Sequence, residues 1–579
     1  MSWYSPRLAG YLLLACITLL ACLLQWRLPH QAFWSNDGGE KLVQVKALAA
    51  SGLRSPALPY DPLGLEPAGS FAFAPFLPGH ARIVDGRLLS VVPVYFPLLS
   101  ALPYALWGHA GLYLLPLLGT LLSLFCLLRL ARDFKDQLTG PLIVAAAGAS
   151  PLFFYGLTFW EHSLAAGLCT AGVLLLQRAD ITGRKRISYH ALAAGLIMTL
   201  AAWLRGEVFI LLLACGIAML ANPGHRRLLP SFLLGLAIAL VPYGLINQLL
   251  YATAASPQLP GAGMPQGLSI IPLLSRWRDV APYLLTAYLD LPVVNGLFFL
   301  LGVGPGLLLH FCRQPSPRRD ALALCWCGLI CLTALATLGR LFFLGSPLGS
   351  SMAILGLFGS LPLLPLALVR QDANDPEQGP PLRFLSLTAL LCLAGLCLGL
   401  PSRGGLQWGP RYTLFLTPLL SLLAVTGFTR LKQGLKSPTV RRACTGLLLV
   451  MILTGAAIQG FGVHLLFAKK QATIANMDKI RALAPRVIIT DTWWVPEDNA
   501  ELYGAYPMYT FYTFAQMGQL LALLARKGER EVLLVSSADY REFIARQPGL
   551  ALTSFQQTTH PGMSMFNLSL HAIRLGQPQ

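Results

Sequence analysis

Apolar runs of about 18 to 22 residues recur from end to end of this chain, each long enough to span roughly 30 Å of hydrocarbon. No other feature constrains the fold so tightly. Inside a bilayer the backbone must satisfy its own polar groups, which leaves helices or a closed barrel, and runs of this length select helices. The pattern predicts spans near 9–27, 111–131, 140–157, 163–178, 188–204, 207–221, 228–247, 292–311, 320–338, 350–369, 384–400, 412–429 and 443–463, about thirteen in all. Composition agrees, with 55% hydrophobic and 12% charged residues, outside the range of soluble domains. The expected fold class is a mainly α, polytopic membrane bundle.

The net charge of +18 is informative through its placement. With a cytoplasmic N-terminus, alternate loops hold Arg129, Arg132, Lys135, Arg178, Arg184, Lys185, Arg186, Arg226, Arg227, Arg313, Arg318 and Arg319, then Arg370, Arg383, Arg430, Lys432, Lys436, Arg441 and Arg442. The short loops opposite carry only Arg205, Arg276, Arg278, Arg340, Arg403 and Arg411. This is the positive-inside bias, so the basic excess reports orientation and no nucleic-acid partner is expected. The first apolar run lacks a small-residue cleavage site and reads as a retained anchor. All 12 cysteines lie in or beside spans, so no disulfide framework is implied.

Two units are expected: a membrane part over 1–465 and an extracytoplasmic α/β part over 466–579. A first loop of about 28–90 and a middle loop of about 248–291 share the exported side. Residues 91–107, broken by Pro93, Pro97 and Pro103, read as a helix lying at the interface, as does "LSRWRDVAPYLLTAYLDL" in the middle loop. In the tail, "RVIITDTWW", "REVLLVSS", "ALTSFQQ" and "MSMFNLSLHAIRL" read as strands, and "AQMGQLLALLARKG" as a helix.

Ionisable residues at the edge of a span are costly unless they have a task or a partner. With the orientation above, such residues gather on the exported rim. Asp37 and Glu40 follow the first span; Glu161 and His162 sit in the tight turn "LTFWEHSLAAG"; Arg205 and Glu207 sit in "WLRGEVF". Arg340, Arg403, Arg411 and Tyr412 lie on later turns. Transfer of a sugar from a lipid phosphate to a hydroxyl or amide needs such a set. A carboxylate takes the acceptor proton, and arginines grip the leaving phosphate with paired donors. Asp37 or Glu40 suits the base, and Arg411, Arg205, Arg403 and Tyr412 suit the phosphate. Glu161, His162 and Glu207 suit the acceptor or a metal, and a divalent cation such as Mg or Mn could sit among Asp37, Glu161 and His162 without being required.

The chain resembles the GT-C superfamily of polyprenyl-phosphate-sugar-dependent glycosyltransferases. The resemblance rests on "NDGGEKLVQVKALAASG", "VYFPLLSALPYALWG", "SPLFFYGLTFWEHSLAAGL", "LRGEVFILLL" and "GPRYTLFLTPLL". It implies a GT-C-like bundle and an inverting transfer from an undecaprenyl-phosphate sugar. The acceptor is an exported glycan, lipid or protein at the outer face of the inner membrane. It implies that Asp37 is the base-like acid, that Glu161 and His162 meet metal or acceptor, and that Arg411 meets the lipid phosphate. Many relatives have two adjacent acids in the first loop, whereas Gly38 and Gly39 separate Asp37 from Glu40 here, so the base is either of the two. Three other functions compete: an O-antigen-type polymerase or ligase, a transporter or flippase, and an assembly or sensor protein. Short late loops disfavour the polymerase, and span centres nearly free of ionisable residues disfavour transport.

Overall fold

A computed structural model describes residues 6–576 apart from 68, 77–78, 134–137, 180–186, 259–279, 282–291, 310–311, 313, 344–354, 370–378 and 401–406. Arg403 and most of the middle-loop helix expected at 274–291 lie outside the described residues.

Among the described residues, seven helices are long and apolar enough to cross a membrane: Leu8–Arg27, Tyr95–Leu130, Leu229–Tyr251, Pro317–Phe343, Pro381–Gly399, Arg411–Gln433 and Pro438–Ala482. Shorter apolar helices cover Thr139–Gly148, His162–Gln177, Tyr189–Leu204, Val208–Ala221 and Leu300–Leu309. Leu213, Leu249 and Leu453 are 65%, 78% and 68% exposed on such helices, the outward apolar surface a bilayer would cover. Three expectations change. The run 140–157 is two helices, Thr139–Gly148 and Pro151–Gly156, because Ser150 caps the second and Pro151 cannot continue the first. The described part of 350–369 is a short helix Leu357–Ser360 and a 3₁₀ turn Leu364–Leu368, since Pro362 and Pro365 remove backbone donors. Residues 91–107 do not stand apart as an interface helix: Tyr95–Trp107 leads through a 3₁₀ segment into the next helix as one apolar stretch of 36 residues.

The elements that carry polar side chains follow in order. Helix α1 covers Pro6–Arg27 and α2 Asn36–Ala50, with the hairpin β1 (Ala81–Val84) and β2 (Arg87–Ser90) after it. Next come α3 (Tyr95–Trp107), α4 (Leu114–Leu130), α5 (Thr139–Gly148), α6 (Pro151–Gly156), α7 (His162–Gln177), α8 (Tyr189–Leu204) and α9 (Val208–Ala221). Helices α4 and α7 meet backbone to backbone, since a Cβ on Gly119 would lie 2.3 Å from the Leu164 Cα. Helix α2 buries Leu42, Val43, Val45 and Leu48, each fully buried side chain stabilising by roughly 1.5–3 kcal/mol.

Helix Pro438–Ala482 runs unbroken for 45 residues, about 68 Å, twice what a bilayer core needs, and carries the chain into the tail. There, strands β3 (Ile488–Thr490), β4 (Met508–Thr510), β5 (Glu531–Ser536), β6 (Leu550–Gln557) and β7 (Ser569–Leu575) form one sheet in the order β4-β3-β5-β7-β6. β3 is parallel to β4 and β5, and β7 antiparallel to β5 and β6. Side chains alternate across the sheet. Ile488, Leu533 and Leu570 join the core of the bundle, while Val487, Ile489 and Leu534 face a second core closed by helix Phe514–Arg526.

Candidate functional site

Four turns, spread over 374 residues of chain, meet at one end of the bundle beside the tail. The first is the start of α2, where Ser35 occupies the cap position and Asp37 lies in the first helical turn. Its carboxylate Oδ2 accepts a hydrogen bond from Arg411 Nη1 at 2.9 Å. Arg411 opens a 3₁₀ segment, Arg411–Leu416, held because its own amide donates to Gln407. The guanidinium lies over Trp160 at 5.2 Å and over Tyr412 at 5.1 Å, with Nη2 donating to the Tyr412 hydroxyl at 3.4 Å. Its Nε is buried without a hydrogen-bond partner.

Glu161 precedes α7 but does not cap it. Its carboxylate lies 3.0 Å from Lys41 Nζ and accepts from Arg205 Nη1 at 2.9 Å. Arg205, at the turn between α8 and α9, also grips Glu207 with two donors, Nε at 3.0 Å and Nη2. Asp37, Glu161 and Glu207 are thus matched by Lys41, Arg205 and Arg411. Lys41 and Glu161 are only 1% and 2% exposed, where an unpaired charge would be prohibitive, so each holds the other in place.

Burial by itself would raise the Asp37 carboxyl, but Arg411, then Lys41, His80 and Arg205, hold it down at about 2. It is therefore ionised near neutral pH. Beside it, His162, Ala165, Arg205, Glu207, Arg411, Tyr412, Leu414 and Phe415 line a tight crevice with no room for a water molecule. Both ring nitrogens of His162 are buried there without hydrogen-bond partners. The arrangement offers a carboxylate base, two arginines for an anion, and an imidazole beside them.

Glu40 is turned elsewhere. One carboxylate oxygen accepts from the Ser90 hydroxyl, and the other lies 3.6 Å from His80 Nδ1, which lies 2.9 Å from Glu497 on the tail. Among the described residues, Glu40, His80 and Glu497 are the only group of three or more His, Cys, Asp or Glu residues whose ligand atoms come close enough to share an ion. The sequence-based grouping of Asp37, Glu161 and His162 is not such a group, because Arg411 occupies Asp37 while Lys41 and Arg205 occupy Glu161. Arg340 lies in the last turn of helix Pro317–Phe343.

Sequence reasoning missed Lys41, His80 and Glu497. Lys41 stood in plain view in "NDGGEKL", four residues after Asp37 and so on the same helical face. His80 and Glu497 gave no local signal, since only tertiary contact unites them.

Acids and arginines from distant turns are thus paired at one rim of a helical bundle. No protein-family model and no curated protein sequence matches the chain. Solved structures match its fold. ArnT from Cupriavidus metallidurans in the apo state aligns over 96% of this chain and 97% of its own with a TM-score of 0.54 at 12% identity. The same protein bound to undecaprenyl phosphate aligns over the same shares with a TM-score of 0.52 at 12% identity. The apo oligosaccharyltransferase of Archaeoglobus fulgidus gives 0.51 at 11% identity, over 92% of this chain and 70% of its own. The chain shares the fold of these proteins.

Proposed function

We propose that the protein is a multi-pass glycosyltransferase of the inner membrane that moves one sugar from a polyprenyl-phosphate donor, such as an undecaprenyl-phosphate sugar, to an exported glycan, lipid or protein. The membrane part spans 1–465 with a cytoplasmic N-terminus, and the α/β unit over 466–579 lies outside. The single observation carrying this reading is the 2.9 Å pair of Asp37 and Arg411, a base and a phosphate-binding cation brought together from positions 374 residues apart. The fold shared with a protein that binds undecaprenyl phosphate supports it.

The donor phosphate binds against Arg411, with Arg205, Arg403 and Tyr412 contributing donors. An oxyanion on the guanidinium competes with Asp37 and frees the carboxylate. Asp37 then takes the acceptor proton as the acceptor oxygen or nitrogen attacks the anomeric carbon. The bond from that carbon to the phosphate oxygen breaks, its electron pair leaving with the lipid phosphate. One displacement inverts the anomeric centre. Charge on the leaving oxygen is met by fixed guanidinium groups, the kind of preorganised stabilisation that dominates such reactions. Glu161, His162 and Glu207 shape the acceptor side. A divalent cation is compatible with this chemistry and is not required by it.

The test is reconstitution in liposomes with a panel of polyprenyl-phosphate sugars and cell-envelope extract. Release of polyprenyl phosphate with label passing to the extract is the expected result. A folded protein that neither consumes any donor nor binds undecaprenyl phosphate overturns the reading.

A further inference from the structure

The loop between α2 and the β1–β2 hairpin holds a cavity that the transfer just described does not use. Its volume is about 360 Å³, within the roughly 300–1,000 Å³ usual for small-molecule sites. The lining is mixed. Asp61, Glu66 and Arg87 bring charge, Tyr60 and Phe71 bring aromatic rings, and Leu58 is apolar.

The walls are tied down on every side. Asp61 Oδ1 accepts from the Leu65 amide at 2.9 Å and from the Tyr509 hydroxyl of β4 at 2.9 Å, and Oδ2 accepts from the Glu66 amide at 3.1 Å. Glu66 accepts from the Tyr60 hydroxyl and, at 2.9 Å, from the Phe73 amide. The Tyr60 and Phe71 rings stack with centroids 5.5 Å apart, and the Leu58 amide donates to the Leu88 carbonyl of the hairpin at 2.8 Å. Phe71 stands in the left-handed region at φ 48°, a conformation bulky residues rarely adopt. The loop thus holds this ring against its backbone preference, and such outliers gather at ligand clamps. Arg87 is 42% exposed, and among the described residues only the exposed Asp85, at 3.9 Å, comes within ion-pair reach of it.

We propose that this cavity binds a sugar ring of a saccharide acceptor, away from the centre where transfer occurs. A sugar ring carries hydroxyls, which both donate and accept, around a face of C–H bonds. Asp61 Oδ2 holds one donor among the described residues and has a lone pair left for a hydroxyl. The Arg87 guanidinium offers adjacent N–H donors to hydroxyl oxygens, and the aromatic pair offers apolar area to the C–H face. Other ligands fit worse. Two carboxylates against one guanidinium repel a phosphate, and an acyl chain would strip water from all three charges without replacing it.

Strand β2 leads from the cavity to the rim. Arg87 and Ser90 are about 10 Å apart along the strand, and Ser90 donates to Glu40, one helical turn from Asp37. A bound ring is therefore a unit of the saccharide remote from the attacking hydroxyl. That this saccharide is the acceptor rests on the transfer reading, whereas saccharide binding rests on the cavity alone.

The experiment reads binding and needs no turnover. Full-length protein in detergent is titrated by calorimetry with trisaccharides of glucose, mannose, galactose, glucosamine and N-acetylglucosamine, and separately with undecaprenyl phosphate. At least one trisaccharide is expected to bind with a Kd below roughly 1 mM. Arg87→Ala and Phe71→Gly should each weaken that binding by about tenfold or more. Glycine suits the left-handed backbone at 71 and Arg87 is exposed, so both variants should stay monodisperse and bind undecaprenyl phosphate as the wild type does. No trisaccharide bound by a monodisperse wild type, or equal binding by wild type and both variants, overturns the inference and leaves the transfer reading standing. Saccharide binding lost in the variants, with no undecaprenyl phosphate bound by any form, supports the cavity as a sugar site and counts against the transfer reading instead.

Discussion

Replacing Asp37 with Asn isolates the charge of the proposed base while keeping its shape and one acceptor oxygen for Arg411. The folded protein lowers the Asp37 carboxyl from 3.8 to about 2. At 1.36 kcal/mol per unit, the ionised form is favoured by roughly 2–3 kcal/mol over a neutral one. This is an upper bound, because the side chain is 28% exposed and solvent screens part of it. If Asp37 only anchored Arg411, the Asn variant would therefore lose less than about 100-fold, mostly as weaker donor binding. A positioned base contributes about 10²–10⁴-fold to the chemical step itself. The assay is single-turnover release of polyprenyl phosphate in liposomes, run with donor well above its KM. We expect kcat to fall by more than about 100-fold with donor KM changed only a few-fold. A loss below about tenfold in kcat, or a loss confined to KM, would refute the assignment of Asp37 as base. The same substitution at Glu40, whose carboxylate faces Ser90 and His80, should leave kcat within about tenfold.

Four further outcomes follow from the same contacts. Arg411→Met should weaken undecaprenyl phosphate binding by about 10–100-fold in calorimetry, since one or two charge-assisted hydrogen bonds are lost, and Arg411→Lys should recover only part. Lys41→Met leaves buried Glu161 with Arg205 alone and should destabilise by about 3 kcal/mol, read as a lower melting temperature. Gly39→Ala should destabilise by about 1–3 kcal/mol through overpacking against Glu497, whereas alanine at Gly446, with nothing nearby, should not. Asp37 keeps its charge above about pH 4 and loses it only as pH falls through about 2, so any acid limb of activity between pH 5 and 7 should persist unshifted in Asp37→Glu.

The rim could be read in the sequence because acids and arginines in short turns between apolar runs are chemically conspicuous. Asp37, Glu161, Arg205, Glu207 and Arg411 were all visible this way, and the structure brings them together. Their partners were not visible. Glu40 and Lys41 are neighbours in sequence yet point to different clusters, one toward His80 and the other toward Glu161. Helical geometry turns successive residues about 100° apart, and only the packing of α2 between bundle and tail decides what each direction meets. The broken helices at Ser150–Pro151 and Pro362–Pro365 were marked by prolines, but a hydropathy window averages across them. Four of the tail strands were legible, β3 and β5 as β-branched runs, while β4 was missed and its parallel pairing with β3 depends on contacts no local pattern encodes.

The unbroken helix Pro438–Ala482 bears on how the tail can move. It is one continuous rod from the lipid-embedded bundle to the sheet, and the sheet shares its inner face with the bundle core. A rod without a joint gives the α/β unit no pivot from which to swing clear. Any movement of the α/β unit against the bundle must then bend this helix or carry it along.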